Sequence, residues 1–249
     1  MKKILLVGGS GTIGYFWASE LVRAGQQVLL TCTDKKKFAA KDKLALFDHE
    51  NVNLLELNVN TADDVDKFFH DHKGSLHDVD ILVNNARNPG FLQVKDGEFS
   101  TADALLDEYL VDVVLPYRMS VLLAGNSSLS VVVNVGSIYG NKTFKERIYD
   151  DGWRSAPIQY SLAKAALNKL TEELAVRLAS HNVRVNGLAL GGVLSEQPNN
   201  FIERYGQECA RNGMLSLEDT LAAFQFLLAD ENDAMTGQTL HVDNGFSVK

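Results

Sequence analysis

The sequence predicts an α/β fold built on a single, doubly wound parallel sheet. Seven short apolar runs alternate with stretches of helical periodicity along the 249 residues. Several of these runs, Ile81-Leu82-Val83 and Val131-Val132-Val133 among them, are apolar at consecutive positions, as strands covered on both faces must be. The first run leads straight into a glycine-rich loop and then a helical pattern, the order in which a βα unit begins.

Taken in order, strands are expected at 3–8, 27–33, 52–57, 79–84, 130–136, 183–189 and 239–243. Helices are expected at about 12–24, 35–47, 61–72, 101–124, 158–181 and 216–229. Gly25 suits a helix end. Thr61 and Ser216 suit N-caps, each with an aspartate three residues on, Asp64 and Asp219. No repeat, low-complexity tract or linker interrupts the chain, so residues 1–249 are expected to form one domain with strand order 3-2-1-4-5-6-7.

Composition narrows the function classes. A hydrophobic content of 45% with 19 Gly and 4 Pro is that of a globular chain. The net charge of −8 argues against nucleic acid or an anionic membrane as the main partner. The opening apolar run stops at Gly8, too short for a signal-peptide core, and no later run approaches a membrane span, so a cytoplasmic protein is expected. Cys32, Cys209 and the six histidines show no metal-ligand spacing, and no metal site is expected.

Two stretches carry chemistry. Gly8-Gly9-Ser10-Gly11-Thr12-Ile13-Gly14 lies between the first strand and the first helix, where glycines let the chain turn sharply and approach a pyrophosphate seated on the helix N-terminus. At the end of the second strand an acid would bind a ribose 2′-hydroxyl, whereas neutral or basic residues leave room for a 2′-phosphate. Cys32 and Thr33 stand there, followed by Asp34 and three lysines, so NADP is preferred over NAD, with Asp34 one small shift from the selecting position. The second stretch is Tyr160-Ser161-Leu162-Ala163-Lys164. Residues four apart share a helix face, so the Lys164 ammonium is expected to draw the Tyr160 phenol down from its usual pKa of about 10, as a proton donor and acceptor for a carbonyl/alcohol pair requires.

The glycine loop, Asn84-Asn85-Ala86, Ser137, Tyr160 with Lys164, Asn186 and Val242-Asp243-Asn244-Gly245 together resemble a short-chain dehydrogenase/reductase over nearly the whole chain. The resemblance implies a Rossmann fold and an oxidoreductase that interconverts a secondary alcohol and a ketone. It makes Tyr160 the catalytic acid/base and Ser137 the residue that hydrogen-bonds the substrate oxygen. Lys164 would bind the nicotinamide ribose and tune Tyr160. Gly8, Ser10, Gly11, Thr12, Ile13 and Gly14 would hold the pyrophosphate, with Cys32 and Thr33 at the adenosine ribose. Asn58 and Val59 would lie near the adenine, Asn85 and Ala86 along the cofactor, and Gly191 and Val193 beside the nicotinamide amide.

Departures from the family pattern are also visible. Val7, Thr12, Arg87 and Leu190 replace the family's usual residues, and Asp112 stands where the resemblance places an asparagine of the catalytic set. Asp112 either joins a proton relay or makes a local backbone bond. Arg87 either meets a phosphate by a forked contact or faces water.

Ser137 and Tyr160 are 23 positions apart, which leaves a substrate-loop insertion at about 140–158. This insertion and the run 191–198 resemble a subgroup linked to flagellin modification and bacterial surface-glycan biosynthesis, implying a sugar or nucleotide-sugar substrate. Tyr139, Tyr149, Trp153 and Arg154 are candidates for that surface. A 3-oxoacyl-thioester reductase and a non-catalytic dinucleotide-binding regulator are the alternatives. Leu105, Leu106, Leu110 and Val114 fit either a core or the helix face through which the family forms homodimers and homotetramers.

Overall fold

Seven strands, β1 (Lys3–Val7), β2 (Gln27–Cys32), β3 (Val52–Glu56), β4 (Ile81–Asn84), β5 (Val131–Ser137), β6 (Arg184–Leu190) and β7 (Thr239–Val242), match the expected runs to within two residues at each end. The computed structural model describes residues 1–36, 46, 49–87, 100–125, 128–150, 152 and 156–249. In it the strands form one parallel sheet in the order β3-β2-β1-β4-β5-β6-β7, as expected. The order reverses between β1 and β4, and loops leaving the strands there diverge to opposite faces.

Helices cover both faces. They are α1 (Thr12–Arg23), α2 (Ala62–Asp71), α3 (Ala102–Tyr109), α4 (Leu115–Ala124), α5 (Ile158–Leu178), α6 (Asn199–Gln207) and α7 (Leu221–Leu228), with a short helix Lys73–Leu76 after α2. The helix expected at 35–47 falls largely outside the described residues. Strand alternation sorts the core. Leu5, Leu82 and Val132 face Met119, Leu123 and Leu174 on one side. Ile4, Leu6, Val83 and Val133 face Trp17 and Phe224 on the other. Each fully buried large side chain contributes about 1.5–3 kcal/mol. The Trp17 and Phe224 rings stack at 4.1 Å and hold α1 against α7, while Trp17 Nε1 donates to Thr220 Oγ1 at 2.9 Å.

The expected punctuation is present. Gly25 has φ +74° just past α1. Asp64 accepts from the Asn60 and Thr61 N–H groups at 2.9 and 2.8 Å, which holds its carboxyl below the usual range. Ser216 and Asp219 exchange backbone-to-side-chain bonds of 2.7 and 3.2 Å ahead of α7. Two motif residues turn out to brace the sheet. Asn186 ties β6 to the approach to β7 through Met235 O at 2.7 Å and Gln238 N–H at 3.1 Å. Asp243 accepts from Gly245 and Ser247 N–H, both at 2.9 Å, and closes the last turn.

The expectation contained no helix at 199–207. α6 begins directly after Pro198, whose ring suits a helix start, and carries Phe201, Ile202 and Tyr205 on one face. That face packs on Ile138, Ile148 and Phe246 in a small third core beside the sheet. Nine residues with three apolar positions is a weak periodic signal, and α6 depends on this tertiary packing.

Candidate active site

Because all seven strands are parallel, their C-terminal ends lie along one edge of the sheet. The candidate residues collect there. Gly8 follows β1, Cys32 ends β2 with Thr33 next, Asn58 and Val59 follow β3, Asn85 and Ala86 follow β4, Ser137 ends β5, and Gly191 and Val193 follow β6.

The glycine loop is built for close approach. Gly8 has φ +82°, and a Cβ there would lie 2.4 Å from Ala86 Cα. Gly8 N–H donates to Thr31 Oγ1 at 2.9 Å, and Asn85 Nδ2 donates to Gly8 O at 3.0 Å, so β1, β2 and β4 fix one turn. Ser10 and Gly11 lead into Thr12, Ile13 and Gly14 at the start of α1. Gly11 stands at the N-cap without a side-chain cap, and the first turn contains no acid. Open N–H groups and the positive end of the helix dipole therefore point outward, a donor set that fits a pyrophosphate.

At the end of β2, Cys32 is 3% exposed and burial pushes its thiol up. Thr33 is exposed. Asp34 accepts from Lys36 N–H at 2.8 Å and so caps the following turn. Beyond β3, Asn58 is exposed and Val59 packs on the core. Gly191 N–H donates to Val242 O at 2.8 Å, and Val193 bridges to Leu215.

α5 carries a buried stripe, Ala163, Lys164, Leu167, Thr171, Leu174, Ala175 and Leu178, at helical spacing. Lys164 belongs to that stripe, so its ammonium is driven into the protein at 4% exposure. It is satisfied there by Val135 O at 3.1 Å and by Asp112 Oδ2 at 3.1 Å. Burial alone would lower its pKa, but the Asp112 charge and the phenol of Tyr160 overcome this and hold it above the usual lysine value. Tyr160, one turn earlier on the same face, sits half-buried with its ring centre 5.6 Å from Lys164 Nζ. Arg87 extends over the outer side of that ring, its Cζ 5.1 Å from the centre. Neither expectation for Arg87, phosphate or open water, anticipated this cation–π contact.

Ser137 is 5% exposed at the last position of β5. Its Oγ accepts from Tyr139 N–H at 3.2 Å, which leaves its hydroxyl proton available to a ligand oxygen. α5 lies against this strand end closely enough that a Cβ on Gly140 would meet Lys164 O at 2.8 Å.

Asp112 lies in a π-helical segment, Leu110–Val114, that joins α3 to α4. Pro116 follows at the first turn of α4 and cannot donate to the carbonyl four residues back, which accounts for the widened turn at this place. Sequence reasoning overlooked Glu108, which lies one turn before Asp112, is 1% exposed and has neither carboxyl oxygen hydrogen-bonded among the described residues. A glutamate four residues before the expected catalytic position, on the same helix face, was the available signal.

Beside Tyr160 the insertion folds down as an aromatic cluster. Tyr139 and Phe144 lie 4.0 Å apart, Phe144 and Tyr149 5.6 Å, and Tyr149 and Phe201 5.7 Å. Tyr149 OH donates to Tyr139 OH at 3.3 Å. Burial pushes Tyr149 up to about 12 and Tyr139 higher still. Trp153 and Arg154 lie outside the described residues. Among those described, no group of His, Cys, Asp or Glu is placed to hold a metal ion, and no helix is long and apolar enough to cross a membrane.

The sequence profile of a family described as enoyl-(acyl carrier protein) reductase matches residues 8–247. The chain belongs to the short-chain dehydrogenase/reductase family. This short-chain dehydrogenase/reductase is thus an oxidoreductase, and its relatives span its whole length. It is 28% identical to post-translational flagellin modification protein A of Campylobacter coli, over 99% of this chain and 98% of that one. It is 26% identical to the 3-oxoacyl-[acyl-carrier-protein] reductase FabG of Aquifex aeolicus, over 98% and 96% of the two chains. A short-chain dehydrogenase of Leptospira borgpetersenii, crystallised with bound NAD+, shares the fold with a TM-score of 0.82 at 22% identity, covering 99% of this chain and 92% of that one.

Proposed function

We propose that the protein transfers a hydride reversibly between a nicotinamide dinucleotide and a secondary alcohol/ketone centre on a sugar or nucleotide sugar, for surface-glycan biosynthesis. The observation that carries the reaction is Lys164, buried one helical turn behind Tyr160 and held there by Asp112 and Val135 O. The dinucleotide would rest on Gly8, Ser10, Gly11, Thr12, Ile13 and Gly14, with Asn85 and Ala86 along it and Gly191 and Val193 at its far end. When bound, it supplies or accepts the hydride at the substrate carbon. Tyr160 gives its proton to the carbonyl oxygen in reduction and takes it back in oxidation. Ser137 donates a hydrogen bond to that oxygen, and loss of one such donor costs about 3–4 kcal/mol as charge builds. Lys164 keeps positive charge behind the phenol throughout, and Asp112 serves that charge.

NADP is the preferred form in this reading. Thr33 offers an exposed hydroxyl where an acid would repel a 2′-phosphate, Lys35 and Lys36 are exposed nearby, and Asp34 is engaged by its own turn. The sugar assignment draws on the flagellin-modification relative and on the insertion at 140–158, whose Tyr149 phenol, with that of Tyr139 just before it, lies near Tyr160. Exposed Leu106, Tyr109 and Tyr117 beside exposed Ile158 and Leu162 support pairing of two copies in the cytoplasm through α3, α4 and α5.

A second reading, reduction of a 3-oxoacyl thioester, is favoured by the acyl-carrier relative. A screen of nucleotide sugars and 3-oxoacyl thioesters with NADP and NAD, read by nicotinamide absorbance, decides between them. Turnover of thioesters alone would overturn the sugar assignment.

A further inference from the structure

Two carboxyl groups and one ammonium are enclosed between α3, its π-helical continuation and α5. Glu108 and Asp112 are each 1% exposed, and Lys164 is 4% exposed. Lys164 Nζ reaches Asp112 Oδ2 at 3.1 Å. Among the described residues no hydrogen-bond donor is aligned on either oxygen of Glu108, and Lys164 is the cation that reaches Asp112. A second ionised carboxylate in this enclosure would have no cation of its own, and burying an unpaired charge costs several kcal/mol. A proton on one of the two carboxyls removes that charge and supplies the missing donor at once.

We infer that Glu108 and Asp112 hold one proton between them, carried on Glu108, and that this makes Glu108 a positioning residue for the Lys164–Tyr160 pair. The inference rests on the reading of Lys164 and Tyr160 given above. Asp112 is the group in contact with the ammonium, so it keeps the charge, and Glu108 keeps the proton. Burial first, and the Asp112 charge second, push the Glu108 carboxyl up to about 7. The charged and titratable groups facing the pair are Lys164 and Tyr160 from α5 and Arg87 from the end of β4. With the proton in place, Lys164 and Asp112 cancel and the enclosure is neutral. When the proton leaves to water, the enclosure becomes negative beside Lys164, which works against the Tyr160 phenolate that takes the alcohol's proton in oxidation.

The test follows the carbonyl stretch of a protonated carboxylic acid by infrared difference spectroscopy on the full chain without cofactor, titrated from about pH 5 to about pH 9. The wild-type band should fade near neutral pH and be missing in Glu108→Gln. In Asp112→Asn, where the like charge is gone and Lys164 remains, it should fade at lower pH. Alcohol oxidation by Glu108→Gln should lose the inflection near neutrality and run roughly tenfold faster than wild type on the alkaline side. Dinucleotide binding, read by fluorescence, should persist. A band that survives in Glu108→Gln, or an unchanged inflection in that variant, would overturn the inference. The expected band without turnover on any alcohol or ketone would uphold the shared proton and sink the reaction assigned above.

Discussion

Lys164 Nζ stands 3.1 Å from Asp112 Oδ2, and the two side chains are 6% and 1% exposed. A pair so fully removed from water is costly to break from one side only, since the remaining charge is left uncompensated. Lys164→Met should lower stability by about 3–5 kcal/mol in urea denaturation. Adding Asp112→Leu should restore much of that loss while leaving the enzyme inactive. Equal destabilisation by the single and double variants would show that the two groups are not coupled.

Tyr160→Phe keeps the ring that meets Arg87 and removes the proton-carrying oxygen. Turnover should fall by about 10²–10⁴-fold, the usual contribution of a positioned acid/base. NADP affinity, measured by fluorescence titration, should stay within about twofold, because the pyrophosphate is held by the α1 terminus instead. Retained turnover would remove Tyr160 from the chemistry.

Glu108 makes stability depend on pH in an unusual direction. Its carboxyl titrates at 4.5 in an unfolded chain and at about 7 in the fold, so the folded state holds the extra proton between these values. Stability contributed by this group is full below the lower value, falls as pH rises through the window, and levels off above it. The total loss is roughly 3 kcal/mol. Glu108→Gln should flatten that slope, and chemical denaturation at acid, neutral and alkaline pH measures it directly. An unchanged slope in the variant would mean that Glu108 does not hold the extra proton.

Thr33→Asp places an acid at an exposed position at the end of β2 without disturbing buried Cys32. It should weaken NADP roughly tenfold or more and spare NAD, as a carboxylate there repels a 2′-phosphate and accepts a 2′-hydroxyl. The ratio of kcat/KM for the two cofactors is the readout. No change would place the ribose elsewhere.

Gly8→Ala should fail for two separate reasons. The residue has φ +82°, and its new Cβ would lie 2.4 Å from Ala86 Cα, which is backbone and cannot swing away. A loss of at least about 1–3 kcal/mol in thermal unfolding is expected from the strain alone.

The sheet was legible in the sequence because consecutive apolar residues such as Val131-Val132-Val133 leave few alternatives to a strand buried on both faces. Gly25, Asp64 and Asp219 marked helix ends for equally local reasons. The aligned ends of the strands follow from parallel topology, which brings the glycine loop after β1 and Ser137 at the end of β5 to one edge. Contacts between distant segments could not be read that way. Glu108 resembles any surface helix glutamate until Lys164 and Asp112 close over it. Arg87 finds the Tyr160 ring across 73 positions of chain, and Tyr139 and Tyr149 reveal themselves as an aromatic pair only when α6 packs beside them.

The widened turn at Leu110–Val114 makes chain length itself a functional variable. Its π-helical residues turn through nearly the angle that one fewer α-helical residue would, so removing a single amino acid there would restore ordinary helix and leave the upstream half facing almost as it does now. Glu108, Leu106 and Tyr109 would keep their faces, and the change would fall on Asp112, inside the widened turn. One indel there would unseat the Lys164–Asp112 contact while sparing the exposed face of α3.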